Sequence, residues 1–571
     1  MKMRRSTSFL SLVILSMVLL PVAPAISNAA EKEKVDLATL YRIKDEAFKN
    51  SKVMDHLFYL TDVNGPRLTN SPGQRAAADW AVKSLKAWGI EGAHLETWGT
   101  FGRGWSLSRF TMSLREPTYA QLAGMPLAWT SGTQGTIRGD VVLAPLFTAQ
   151  ELERREAFDP SKLSARIEKY ASENKGKLKG KFVLITEPRE LTPPSDAPST
   201  RLDDKALAEM KDAEELYVAP KIDWPVLSMP EDPKKADRLL ASMPFAMRSE
   251  MRTRTRHIRD RLNAFLKDEG ALAVLSGDTR GTGGILFAEG GASWETGAPI
   301  PPPKIALPPE QYDRLCRLAE KRIPVKIELE MEAKFHDDAP DGANVIAEIP
   351  GGKKKAEVVM LGAHLDSWHS GTGATDNAAG SAVVLEAMRI LETLHLAMDR
   401  TVRLALWTGE EQGLLGSEAY VQKHFADMVT MHTLPEHAKL SGYFNIDNGT
   451  GKIRGVYLQG NDMVRPIFKD WLEPFEDLGA KTLSIRNTGG TDHLPFEAVG
   501  LPGFQFIQDP LDYMSRTHHS NIDDYDHLQP GDLMQASAIV ASFVYNAATR
   551  PEMLPRKPMP KPLPPRKPEP S

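Results

Sequence analysis

The strongest constraint on this chain is a repeated local pattern in which an apolar, β-rich run leads directly into histidine or carboxylate residues. Val358-Val359-Met360-Leu361 leads into Gly362-Ala363-His364-Leu365-Asp366-Ser367, and Val402 to Trp407 leads into Thr408-Gly409-Glu410-Glu411-Gln412-Gly413. A third run, Gly442 to Ile446, delivers Asp447. Continuous apolar runs of this length are expected for strands buried on both faces of a parallel sheet. Between the first two, Ala378 to Leu394 has helical spacing through Val384, Met388, Leu391 and Leu394. The segment therefore predicts a βαβ unit. Sites in open α/β sheets gather at the carboxyl ends of the strands, which brings His364, Glu410, Glu411 and Asp447 toward one edge.

Taken singly, each motif has an ordinary explanation. His-x-Asp is a common hydrogen-bonded pair, two adjacent acids make a solvated turn, and a histidine cluster can be turn chemistry. The glycine-rich loop Gly371-Thr372-Gly373-Ala374-Thr375-Asp376-Asn377 opens a helix, but it lacks the Gly-Lys-Ser/Thr of a phosphate loop and the dinucleotide spacing, so Asp376 reads as a ligand. Thr491-Asp492-His493 precedes a further strand, Gly503 to Gln508, which is followed by Thr517-His518-His519-Ser520-Asn521-Ile522-Asp523. Asp366 is close enough in sequence to accept a hydrogen bond from the second ring nitrogen of His364, fixing its tautomer for metal binding. Adjacent Glu410 and Glu411 can diverge, one carboxylate to metal and the other to water.

The ordered set His-x-Asp-Ser, Gly-Ala-Thr-Asp-Asn-Ala-Ala-Gly, Glu-Glu-Gln-Gly, Asn-x-Asp, Thr-Asp-His and His-Ser-x-x-Asp resembles the co-catalytic zinc aminopeptidase and glutamate carboxypeptidase family. The segments His364 to Trp368 and Leu406 to Gly413 look most like its carboxypeptidase Q branch, while Thr491-Asp492-His493 and Asn445-Ile446-Asp447 are closer to its bacterial aminopeptidases. The resemblance implies a three-layer α/β/α catalytic domain with a mixed sheet and an inserted β-rich protease-associated domain. It implies two zinc ions: His364 and Asp447 on one, Glu411 and His519 on the other, and Asp376 bridging. His519 is preferred to His518 because it begins His-Ser-x-x-Asp. Glu410 is implied as general base toward a hydroxide shared by the ions, with Asp366 supporting catalysis. Asp492, His493 and His518 line or support the site. The implied reaction is hydrolysis of terminal peptide bonds by an aminopeptidase or dipeptidase-like enzyme. The rivals are a glutaminyl cyclase-like transferase and a catalytically silent binding or receptor protein; retention of all five ligands and Glu410 argues against silence.

The remaining sequence frames this site. With 571 residues, the chain exceeds one ordinary core and predicts more than one domain. The expected division is a signal peptide at 1–29, catalytic segments at 35–118 and 342–550, an inserted domain at 119–335, and a Pro/Lys/Arg-rich tail at 551–571. Lys2, Arg4 and Arg5, the apolar run Phe9 to Leu20 and small residues ending near Ala29 have the signal-peptide pattern, implying a periplasmic or secreted protein with no stable membrane insertion. Val35 to Trp98 reads as largely helical, with Ser71 capping a helix whose stripe is Ala77, Ala81, Leu85 and Trp88. Cys316 is the single cysteine, so no internal disulfide can form. A formal net charge of −5 argues against nucleic acid as a partner. Arg248 to Arg261 reads as a solvated helix face, the tail as extended and mobile, and the insert as a cover for the cleft or a homodimer contact.

Overall fold

In the computed structural model, residues 32–567 are described except 149–150, 152–156, 158, 193–194, 196, 215–223 and 231. The expected signal peptide lies outside the described residues. No described helix is long and apolar enough to cross a membrane.

The molecule is mixed α/β, with its strands in two eight-stranded mixed sheets. The first runs, in spatial order, His94–Thr100, Asp341–Ile349, Arg400–Trp407, Lys354–His364, Leu440–Asn445, Gly503–Gln508, Ile453–Tyr457 and Thr482–Ser484. Lys354–His364 pairs in parallel with Arg400–Trp407 on one side and Leu440–Asn445 on the other, aligning His364 with Trp407 and Gly362 with Asn445. Gly503–Gln508 continues the parallel set beside Leu440–Asn445. Four strands therefore end on the same edge of the sheet.

Strand alternation divides the core. Val359, Leu361 and Ala363 join Leu404, Leu406 and Phe444 in a cluster with helices Ala379–Thr393 and Pro530–Thr549. Met360, Ala405, Trp407 and Tyr443 face the other way, packing with Tyr420, Phe425 and Phe496. Both faces are covered, which is why these strands carry no polar alternation. Helix Ala379–Thr393 is buried through nearly its whole length, including Val384, Met388 and Leu391.

The amino-terminal segment is helical over Leu37–Lys49, Val53–Phe58 and Pro72–Ala87, but Trp98 belongs to strand His94–Thr100, so the helical reading ran too far. Ser71 caps the third helix by accepting from the Gln74 N–H at 3.2 Å. Gly89, at φ 98°, provides the left-handed residue that stops it.

The second sheet spans Gly104 to His336, with Gly104–Glu116 and Lys326–His336 pairing antiparallel toward one edge. Helix Phe245–Asp268 packs against its flank through Leu262 and Leu266. Its arginines are not a uniformly solvated face: Arg248, Arg252 and Arg256 are partly buried. The proline-rich tail, expected to be mobile, lies against the body through residue 567. Leu554 is buried there, and Lys557 pairs with Glu497 at 2.8 Å.

The main core is tightly filled around Met388, which is fully buried. Met388→Ala is expected to lower the unfolding free energy by about 2–5 kcal/mol; urea denaturation followed by fluorescence would show it, and an unmoved midpoint would contradict the described packing.

Candidate metal centre

Parallel pairing brings residues from distant parts of the sequence to one edge. His364 ends its strand, Glu410 and Glu411 follow Trp407, and Asp447 follows Leu440–Asn445. Asp376 arrives on the loop before helix Ala379–Thr393, and His519 on the segment after Gly503–Gln508. His364 Nε2 is 3.3 Å from Asp376 Oδ1 and 3.4 Å from Asp447 Oδ1. His519 Nε2 is 3.0 Å from Glu411 Oε2 and 3.3 Å from Asp376 Oδ2. The two oxygens of Asp376 thus face two different groups of side chains. Glu410 Oε2 stands at 4.0 Å from His364 Nε2, just outside the cluster.

His518 is less well placed, with Nε2 at 3.8 Å from Asp376 Oδ2, and its ring stacks on that of His519 with centroids 3.7 Å apart. Asp492 is buried and accepts from the Ser417 hydroxyl, while His493 bonds Gln459 and the Thr488 carbonyl. The expected Asp366 contact differs in detail. His364 Nδ1 lies 3.0 Å from the Asp366 backbone carbonyl and 3.7 Å from its carboxylate. That carboxylate instead accepts from the Thr69 hydroxyl at 2.8 Å and from the Glu410 and Glu411 N–H groups, each at 3.3 Å. Asp366 therefore ties the Glu410–Glu411 turn to the strand that carries His364.

Three groups around the site escaped sequence reasoning. Arg67 is fully buried and donates to the carbonyls of Leu60, Leu365, Thr372 and Gly373 at 2.7–2.9 Å, fastening the loops on both sides of His364 and Asp376. Asp523 accepts from the Thr375 and Asp376 N–H groups at 2.7 and 3.1 Å. Glu289, from the second sheet's side, accepts from His519 Nδ1 at 2.7 Å and orients its ring. Asp523 closes the His-Ser-x-x-Asp motif and could have been singled out; Arg67 meets Leu365, Thr372 and Gly373, and Glu289 meets His519, across more than two hundred positions and with no local signal.

The electrostatics of the cluster suit a bound cation. Asp376 Oδ2, Glu411 Oε1 and Asp447 Oδ1 are buried and accept no hydrogen bond. Leaving such oxygens unpartnered is costly. Burial, reinforced by Asp376, pushes the Glu411 carboxyl up to about 8. Burial also raises Glu410 well above its ordinary value, and Asp492 to about 8. Carboxylate oxygens and imidazole nitrogens converging in this way are the donor set of a divalent cation such as zinc.

A family model described as Peptidase family M28 matches residues 344–544, a span that contains the converging His364, Asp376, Glu411, Asp447 and His519. The chain carries a peptidase family M28 domain. Its sequence is 34% identical over 254 residues to carboxypeptidase Q of Mus musculus, covering 44% of this chain and 52% of the mouse protein. The chain thus spans about half the length of the curated relatives it matches first. The fold resembles a crystal structure titled peptidase M28 precursor from Shewanella amazonensis SB2B at TM-score 0.60 and 23% identity, covering 92% of this chain and 98% of that one. A zinc aminopeptidase structure from Bacillus subtilis matches at TM-score 0.51 and 19% identity, over 88% of this chain and 97% of that one. Around the M28 domain, helices Leu37–Lys49, Val53–Phe58 and Pro72–Ala87 contribute to the same core.

The acid crowding has a signed consequence. Glu411, Asp492 and Asp523 hold their protons more tightly in the metal-free fold than in the unfolded chain, where carboxyls titrate near 3.8–4.5. Their stabilisation is complete below those values and is lost as pH rises toward about 8. His364 and His519, raised by the surrounding carboxylates after opposing burial, act in the same direction, whereas the lowered Asp376 opposes it. The melting temperature of chelator-treated protein is expected to fall between pH 4.5 and 8, and added zinc to remove most of that fall. A flat metal-free profile would contradict the crowding.

Proposed function

We propose that this chain is an exported zinc exopeptidase that hydrolyses terminal peptide bonds, with two metal ions at the Asp376 cluster. The observation carrying the reading is the division of Asp376: Oδ1 faces His364 and Asp447, and Oδ2 faces His519 and Glu411. His364 and Asp447 would hold one ion, His519 and Glu411 the other, with Asp376 between them. Zinc bound there supplies Lewis acidity that polarises a scissile carbonyl and makes water a nucleophile at neutral pH.

The chain's own groups account for the remaining requirements. Glu410 is 9% exposed and beside the cluster without belonging to it, so its carboxylate can take a proton from water and return it to the departing amine. Asp366 holds the backbone of the turn that aims both glutamates. Glu289 keeps the His519 ring in place, and Arg67 prevents the two loops from separating. Asp492 and His493 support the floor of the site, and His518 backs the His519 ring.

Supporting architecture belongs to the same reading: a three-layer catalytic domain formed by 35–118 and 342–550, with a protease-associated domain inserted at 119–335. Gly104–Glu116, from the catalytic side of that division, joins the second sheet. The signal-like pattern of residues 1–29 supports release to a periplasm or beyond the cell. The mouse relative is called a carboxypeptidase and the Bacillus subtilis neighbour an aminopeptidase, which supports peptides as substrates and leaves the recognised end to the geometry of the cleft.

Chelation is expected to abolish cleavage of a panel of dipeptides, N-blocked peptides and aminoacyl anilides, and zinc to restore it. Glu410→Gln should keep its zinc content while kcat falls by about 10²- to 10⁴-fold. Retention of most activity would remove Glu410 from the proton transfer, and failure of every substrate with zinc bound would sink the exopeptidase reading.

A further inference from the structure

A cavity of about 640 Å³ opens directly beside the proposed metal centre. Glu411, Trp368 and Glu289 form part of its wall, so it communicates with the ligands of the site. The helix Phe245–Asp268 lines it with Arg252, Arg256 and Arg259, residues spaced four and three apart and hence on one helix face. The arginine-rich stretch that sequence alone assigns to solvent thus brings its positive charge to a space adjoining the reaction centre.

Most of that charge is already engaged. Arg256 pairs with Glu295 at 2.5 Å and lies over the Trp294 ring. Arg252 donates to the Gly413 carbonyl at 3.1 Å. Lys304 donates to Asn263 and to the Gly291 carbonyl, and burial brings its ammonium down to about 7. Glu289 accepts from His519. Arg259 differs from all of these. No described residue hydrogen-bonds or ion-pairs with it; only the Glu289 carboxylate acts on it through space, solvent reaches its side chain, and it forms part of the cavity wall. Asp260, also on the wall, is pushed upward by burial, which weakens its hold on a neighbouring cation.

A second observation points to the same space. Gln412, next to Glu411, lines the cavity and is only 7% exposed, but neither its amide nitrogen nor its amide oxygen has a hydrogen-bond partner. A buried primary amide with both ends unused is costly unless something else completes it. A planar guanidinium is suited to bidentate carboxylate recognition, and an amide can donate to the same group or accept from a peptide N–H.

We propose that this cavity is the substrate-recognition pocket for a short peptide bearing a carboxylate, with Arg259 pairing the carboxylate and Gln412 completing its hydrogen bonds. This rests on the exopeptidase reading and goes further by naming the substrate class. The carboxylate can be the free chain terminus or an acidic side chain; the recognising chemistry is the same. Arg259 and Gln412 set specificity and take no part in proton transfer.

The test uses full-length, zinc-loaded protein with Ala-Ala, Ala-Ala-amide and Ala-Glu-amide as substrates, comparing wild type with Arg259→Gln and Arg259→Lys at equal zinc content. Wild type should prefer a carboxylate-bearing substrate to Ala-Ala-amide by about 10- to 100-fold in kcat/KM, as expected for a charge-assisted contact. Arg259→Gln should collapse that ratio, and Arg259→Lys should keep part of it. Preference for Ala-Ala alone identifies the terminal carboxylate, whereas equal use of Ala-Glu-amide identifies a side-chain carboxylate. Equal rates on all three substrates, or a preference unchanged in Arg259→Gln, would overturn the pocket assignment while leaving the peptidase intact. If no substrate is cleaved, the exopeptidase reading fails, and calorimetric binding of Ala-Ala decides the pocket separately: binding that Arg259→Gln abolishes supports it, and no binding overturns it.

Discussion

The site is governed by an excess of buried negative charge. Asp376, Glu411 and Asp447 place oxygens with no hydrogen-bond donor at the edge of the first sheet, with Glu410, Asp366 and Asp492 close behind. Two imidazoles cannot balance so many carboxylates in a region from which water is largely excluded. Protonation is the response available to the bare chain, which is why burial drives Glu411 and Asp492 upward. A divalent cation is the more favourable response, because it satisfies the oxygens without neutralising the groups that hold it.

Keeping these groups together requires support from outside the ligand set. The parallel strands fix the origins of His364, Glu411 and Asp447, but Asp376 sits on a loop whose backbone has no strand partner. Asp523 takes that loop's N–H groups, and Arg67 collects its carbonyls together with those near His364. The two supports act on opposite polarities of the backbone, one accepting and one donating. Each is buried, and each exchanges a desolvation cost for definition of the loop.

The second sheet enters the site by two routes. Glu289 reaches His519 directly, and the helix Phe245–Asp268 brings guanidinium groups to the cavity beyond Glu411. The positive wall therefore comes from sequence far from the family-matched span of 344–544. In this arrangement the chemistry and the choice of substrate are encoded in separate parts of the chain: a proposed metal cluster on one sheet's edge and a proposed selecting face on the helix that lines the adjoining cavity.

Local sequence was sufficient for much of this. The apolar run into His364, the helical spacing through Val384 and Met388, and the strand Gly503–Gln508 specify their elements because backbone period and burial are local properties. Residue type and motif order likewise single out Asp376, Glu410, Glu411, Asp447 and His519, since few chemistries use such donors together. Tertiary structure alone decided the rest. The helical reading of 35–98 missed strand His94–Thr100 because that segment is held by pairing with Asp341–Ile349, far away in sequence. Asp366 turned its carboxylate toward Thr69 and the backbone of two glutamates, leaving its carbonyl for His364. Arg67 and Glu289 were silent in the sequence, and Arg259 was read only as part of a solvated face, for one physical reason: a charged side chain acquires its role from what it meets after folding, and Arg67 and Glu289 meet Leu365, Thr372 and His519 only through the tertiary fold.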